Sequence, residues 1–135
     1  MKTILFACVH NAGRSQMAAA WFNALAEPSK ATAISAGTAP GSGVHPEVVL
    51  VMQEAGIDLS VERPRLLDAP LAQTASLLIT MGCGEQCPIV PGVERDDWPL
   101  PDPKGLPIEH VRDIREDIRQ RVERLLVERG WARSH

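Results

Sequence analysis

The stretch Cys8-Val9-His10-Asn11-Ala12-Gly13-Arg14-Ser15 decides how the whole chain is read. The apolar run Ile4-Leu5-Phe6-Ala7 leads into it, and an alanine-rich segment from Gln16 to Ala26 leads out. Strand, tight loop and helix in that order place Cys8 at the strand end and Arg14 and Ser15 at the helix start. The N–H groups of such a loop point inward beside a helix N-terminus, where unpaired amides and the helix dipole favour an anion. Arg14 adds a planar cation suited to a tetrahedral oxyanion. The same positive field favours thiolate over thiol, which makes Cys8 the candidate nucleophile. Val9, His10, Asn11, Ala12, Gly13, Arg14 and Ser15 form the expected oxyanion cradle. The blander reading makes Cys8 a small buried hydrophobe and puts Arg14 on a solvated turn. Gly13, Ser15 and the strand-to-helix setting favour the oxyanion site.

A chain of 135 residues with 44% hydrophobic and 23% charged residues fits one globular domain. It is read as a single domain over residues 1–129 with a frayed tail at 130–135. No apolar run approaches the ~20 residues of a membrane span, and Lys2 passes straight into a β-like run, so neither a membrane anchor nor a signal peptide is expected. A net charge of −3 disfavours nucleic acid as a partner. Three cysteines, an odd number, point to a reducing cytoplasm and to thiol chemistry.

Hydrophobic spacing predicts a buried strand over 2–9 and a helix over about 14–26 carrying Met17, Trp21 and Leu25 on one stripe. A second strand is expected near 32–36. A helix opens at Pro46, carries Val48, Val49, Met52 and Ala55 inward, and stops at Gly56. Residues 57–74 read as irregular or only briefly helical, and 77–81 as a third buried strand. Residues 82–103 are rich in Pro and Gly, with at most a short strand near 95–98. The last helix runs from about Pro107 to Glu128 with Val111, Ile114, Ile118, Val122 and Leu125 on its buried face. Its Arg and Glu residues read as a solvated face of i,i+4 pairs. The alternation of strands and helices predicts an α/β three-layer sandwich with a short parallel sheet and the Cys8 loop at its carboxyl edge.

Two further groups carry chemistry. Asp102, between Pro101 and Pro103, is a turn residue or a general acid. Cys83 and Cys87 sit in Met81-Gly82-Cys83-Gly84-Glu85-Gln86-Cys87-Pro88. Their spacing suits a redox pair if the segment forms a bent turn, better than a zinc half-site lacking two ligands.

The Cys8–Ser15 stretch resembles the phosphate-binding loop of the low-molecular-weight protein tyrosine phosphatase superfamily, and Arg14-Ser15-Gln16-Met17-Ala18 is similar to its arsenate reductase branch. The resemblance implies a four-stranded parallel sheet flanked by helices, and it implies that Asp102 is the general acid. It also implies reduction of arsenate, with phosphate or sulfate as mimics. In that scheme Cys8 forms a thio-arsenate, Cys83 attacks Cys8 to release arsenite, and Cys87 moves the disulfide to Cys83–Cys87. No bound cofactor is expected, only an external thiol reductant. That reductant is thioredoxin, or a low-molecular-weight thiol with a glutaredoxin-like protein, since the Met-Gly-Cys-Gly version is also similar to arsenate transferases. A phosphotyrosine phosphatase, needing only Cys8, Arg14 and Asp102, is the alternative enzyme; a non-catalytic oxyanion or thiol sensor is the alternative outside enzymology. The chain has no Tyr, and Lys104 rather than an aromatic residue follows Asp102-Pro103.

Some thioredoxin-coupled relatives hold potassium with an Asn, a Ser, a Thr and an Asp. Asn11 and Ser35 match, but Arg63 and Arg65 stand where the Thr and Asp would. A guanidinium repels a cation and can take its place. Thermal melts in matched potassium and sodium chloride should therefore coincide; a selective rise with potassium would overturn the expectation.

Overall fold

The computed structural model describes residues 1–82 and 91–133. Its centre is strand β1 (Lys2–Cys8), which pairs in parallel with β2 (Ala31–Gly37) on one side and β3 (Leu77–Thr80) on the other. Strand β4 (Glu94–Asp97) adds in parallel to β3, so the order is β2-β1-β3-β4. Helices α1 (Arg14–Leu25), α2 (Pro46–Glu54), α3 (Ala69–Gln73) and α4 (Ile108–Arg129) complete the fold. This is the α/β architecture expected from the sequence, a four-stranded parallel sheet with helices on both faces. No helix among the described residues is long and apolar enough to cross a membrane.

Strand periodicity sorts β1 between two cores. Ile4, Phe6 and Cys8 face a large cluster built with α1, α2 and α4, while Leu5 and Ala7 face a smaller one with Ala36, Leu67, Ala72 and Leu78. Residues 4–7 are fully buried, as a central parallel strand requires. Cys8 therefore leaves the sheet on the face that α1 covers. Helix α1 is buried more widely than the predicted stripe, because it meets both the sheet and α4. Phe22, outside that stripe, is fully buried and packs edge-on against Phe6 at 6.1 Å. Each such side chain contributes about 1.5–3 kcal/mol on leaving water.

The element ends follow local chemistry. Pro46 opens α2, and Gly56, at φ 84°, lies just past its end. Within the expected irregular stretch, Asp68 caps α3 by accepting from the Leu71 N–H at 2.9 Å. The fourth strand lies one residue earlier than predicted and all four of its residues are exposed, so its charged sequence carries no burial pattern. Residues 130–133 fold back onto the domain. Gly130 turns the chain back in a left-handed conformation, Trp131 sets its ring 6.2 Å from Phe22, and Ala132 bridges to Ala26. The aromatic ring gives this segment a partner that a polar tail would lack.

The charged face of α4 is largely self-neutralised. Arg119 pairs with Glu116 and Glu123, and Arg121 with Asp117. Arg112 and Arg115 reach across to Glu54 at the end of α2, and Arg129 pairs with Glu94 of β4. The Arg112 hydrogen bond, opposed by desolvation and joined by Arg115, holds the Glu54 carboxyl below its ordinary range. Arg129 does the same for Glu94. A carboxylate with a depressed folded-state pKa stabilises the fold above its unfolded value, and that contribution disappears as pH falls through the folded one. Thermal melts should therefore drop as pH is lowered below about 4.5. The Glu54→Gln variant should show a shallower drop than the parent chain.

Candidate active site

The loop after β1 is shaped by where its carbonyls go. The Cys8 carbonyl accepts from Thr38 N–H (3.2 Å), Val9 from Ala39 (2.8 Å), His10 from Gly41 (2.9 Å) and Ala12 from His45 (2.9 Å). The Asn11 carbonyl accepts from the Gln16 side chain at 3.1 Å, and the Gly13 carbonyl from Met17 N–H within α1. A trans peptide points its N–H opposite the preceding carbonyl. Turning the carbonyls of residues 8–12 outward therefore turns the N–H groups of residues 9–13 inward, where the start of α1 adds its own unpaired amides. Asn11 bends the loop at φ 51°, a left-handed conformation that asparagine tolerates better than most residues.

At the floor of this ring Cys8 is 3% exposed, with its Sγ 2.8 Å from Ser15 Oγ. Asn11 Nδ2 donates to the same Ser15 oxygen at 2.8 Å. Asn11 Oδ1 accepts from the Arg65 N–H at 3.0 Å and from Gln16 Nε2 at 3.2 Å. A backbone N–H can only donate, so the Asn11 amide orientation is fixed: its oxygen faces Arg65 and its nitrogen faces Ser15. Ser15 accepts from Asn11, and a thiolate at Cys8 would take the Ser15 hydroxyl proton across the 2.8 Å contact.

Above the floor, Arg14 is 8% exposed and donates through Nη1 to the Leu100 carbonyl at 2.9 Å. Its Nη2 lies 3.9 Å from Asp102 Oδ2. Gly82, at φ 98°, leaves room for this guanidinium, which stands where a Cβ would be. The segment bearing Asp102 is anchored by buried Trp98, whose ring lies 5.5 Å from Phe6, and by buried Leu100. It approaches the loop so closely that a Cβ on Gly13 would meet Pro103 Cγ at 2.8 Å. Asp102 is otherwise open to solvent and accepts from Lys104 N–H at 3.0 Å. Asp97, the nearest acidic competitor in sequence, is occupied by Thr80 Oγ1 at 2.7 Å.

The structure thus brings Cys8, the residues from Val9 to Ser15, and Asp102 to one place. Cys83 and Cys87 lie outside the described residues. Gln16 and Leu100 enter the site without a functional reading from sequence, Gln16 having been noted only as part of Arg14-Ser15-Gln16, while Pro103 and Gly82 were read there only as neighbours of Asp102 and Cys83. Behind the loop a cavity of about 190 Å³ is lined by Gln16, Ser35, Glu62, Arg63 and Arg65 among others.

A strand-ending cysteine under a ring of inward amides, with an arginine at the helix start, defines the α/β enzymes that present a thiol to an oxyanion. The model of the low molecular weight phosphotyrosine protein phosphatase family matches residues 3–132, and the chain belongs to that family. It is 41% identical over 121 residues to a putative arsenate reductase of Halobacterium salinarum, covering 87% of this chain and 85% of that one. It is 31% identical over 125 residues to an arsenate reductase of Staphylococcus epidermidis, covering 90% and 94%. The solved thioredoxin-dependent arsenate reductase of Corynebacterium glutamicum superposes with a TM-score of 0.82 at 37% identity, over 95% of this chain and 61% of that one.

Phosphate should shield Cys8 from iodoacetamide in the parent chain. Arg14→Ala should weaken that shielding by about tenfold or more in phosphate concentration, as expected for loss of a charge-assisted hydrogen bond. Equal protection in both proteins would remove Arg14 from the oxyanion site.

Proposed function

We propose that this protein reduces arsenate to arsenite with a Cys8/Cys83/Cys87 thiol relay and an external dithiol as reductant. The observation that carries the reading is the buried Cys8 sulfur beneath inward amides, with Arg14 and Asp102 over it. The names of the relatives support arsenate as the oxyanion, and the second and third thiols of the sequence supply what a phosphatase does not need.

An arsenate anion enters the ring and takes the Arg14 fork, which draws the guanidinium from Asp102. The Cys8 thiolate attacks arsenic and an S–As bond forms. Asp102 protonates an oxygen that leaves as water, help typically worth ~10²–10⁴-fold. Cys83 then attacks the Cys8 sulfur; the S–As bonding pair stays with arsenic, which becomes As(III) and departs as arsenite. Cys87 attacks the Cys83 sulfur and frees Cys8. The Cys83–Cys87 disulfide is returned to two thiols by thioredoxin, each step being thiol–disulfide exchange. No resident cofactor enters this scheme, and it operates in a reducing cytoplasm.

Arsenate-dependent NADPH oxidation with thioredoxin and its reductase tests the reading, with a low-molecular-weight thiol and glutaredoxin as the second donor. Turnover of an aryl phosphate without arsenate reduction by either donor would make the protein a phosphatase instead. The relay has its own test. Cys87→Ser should release about one arsenite per chain and stall as a Cys8–Cys83 disulfide, because Cys87 acts only in the second exchange. Cys83→Ser should release none without added thiol. Peptide mass spectrometry after one equivalent of arsenate reads both. A fully reduced Cys87→Ser protein that yields arsenite only with a small thiol would overturn the relay in favour of transfer to that thiol.

A further inference from the structure

Five of the six carbonyls from Cys8 to Gly13 accept from backbone N–H groups, which any sequence supplies. The sixth, at Asn11, accepts from a side chain, Gln16 Nε2. Gln16 is only 4% exposed although it sits in the first turn of α1. Its amide nitrogen faces three oxygens: the Asn11 carbonyl at 3.1 Å, Asn11 Oδ1 at 3.2 Å and the Arg63 carbonyl at 3.4 Å. None of the three can donate, so the orientation of the Gln16 amide is as fixed as that of Asn11.

We propose that Gln16 is a positioning residue for the Cys8 thiolate, acting through Asn11 and Ser15. It rests on the reading of Cys8 as nucleophile and deepens it. One amide holds both the left-handed peptide of Asn11 and its side-chain oxygen. It also ties them to the 63–65 segment, whose Arg65 N–H completes the grip on Asn11. With Asn11 Oδ1 held, Asn11 Nδ2 donates to Ser15, and once Cys8 has lost its proton the Ser15 hydroxyl is the donor across their 2.8 Å contact. The chain of donors Gln16, Asn11, Ser15 ends on the sulfur. Gln16 touches neither sulfur nor substrate; it fixes the direction of the bonds that do.

The decisive variant is Gln16→Glu, which keeps the shape and turns a donor into an acceptor facing three oxygens. A buried donor replaced by a charge costs far more than one lost bond. The readout is the iodoacetamide rate at Cys8, followed by mass spectrometry of its peptide. Gln16→Glu should slow it about tenfold or more at neutral pH, and the ratio to the parent rate should rise toward acid, where the new carboxyl protonates and can donate again. Gln16→Met, which removes the donor without adding charge, should fall between the two. Asn23→Asp is the control for a purely structural effect. Asn23 lies on the same helix and donates to the Ala33 carbonyl of β2 at 2.9 Å, so its variant should melt lower yet leave Cys8 reactivity unchanged. A Gln16→Glu protein that melts lower while alkylating at the parent rate would overturn the proposal. If that protein does not fold, a parent-like rate in Gln16→Met overturns it as well. Alkylation involves no arsenate, so a parent chain inactive on arsenate would refute the proposed reaction and leave this test intact.

Discussion

Everything at the site depends on the outward pairing of the loop carbonyls. A peptide that gives its oxygen to one side gives its N–H to the other, so the cradle is a by-product of hydrogen bonds made behind it. Those bonds come from residues 38–45, the segment that leaves β2, and from α1. The parallel register sets both ends: Cys8 lies opposite Gly37, so the loop after Cys8 and the loop after Gly37 leave the sheet together. The sheet thereby fixes the concavity before any ligand arrives.

The nucleophile and the candidate acid reach the site along different routes through one core. Cys8 arrives at the end of β1, on the face shared with Phe6. Asp102 arrives on a segment fastened by Trp98 and Leu100, and the Trp98 ring rests on Phe6. Packing around one aromatic ring therefore registers two chemical groups 94 positions apart in sequence. Arg14 links them more directly, since its guanidinium bonds the Leu100 carbonyl while its backbone begins α1.

The parts legible in the sequence were those with local causes. The apolar run before Cys8, the alanines after Arg14, Pro46 and Gly56 as helix ends, and the three- and four-residue steps of α4 all carry their reasons within a few residues. The β4 boundary was less legible because an exposed edge of Glu, Arg and Asp shows no alternation. Trp131 reads from sequence as a packing contact, but its partner Phe22, more than a hundred positions away, is not legible there. Gln16 was visible only as a letter in a familiar run, because its partners, the Asn11 and Arg63 carbonyls, are backbone atoms that leave no mark on composition.

The four-residue strand at the sheet margin has a consequence for how molecules meet this protein. Glu94, Arg95, Asp96 and Asp97 are all exposed, on the strand that ends the sheet among the described residues. A second chain adding a strand there would have to bring its backbone alongside this charged row and dehydrate it. The charges along this margin thus guard it against edge-to-edge aggregation.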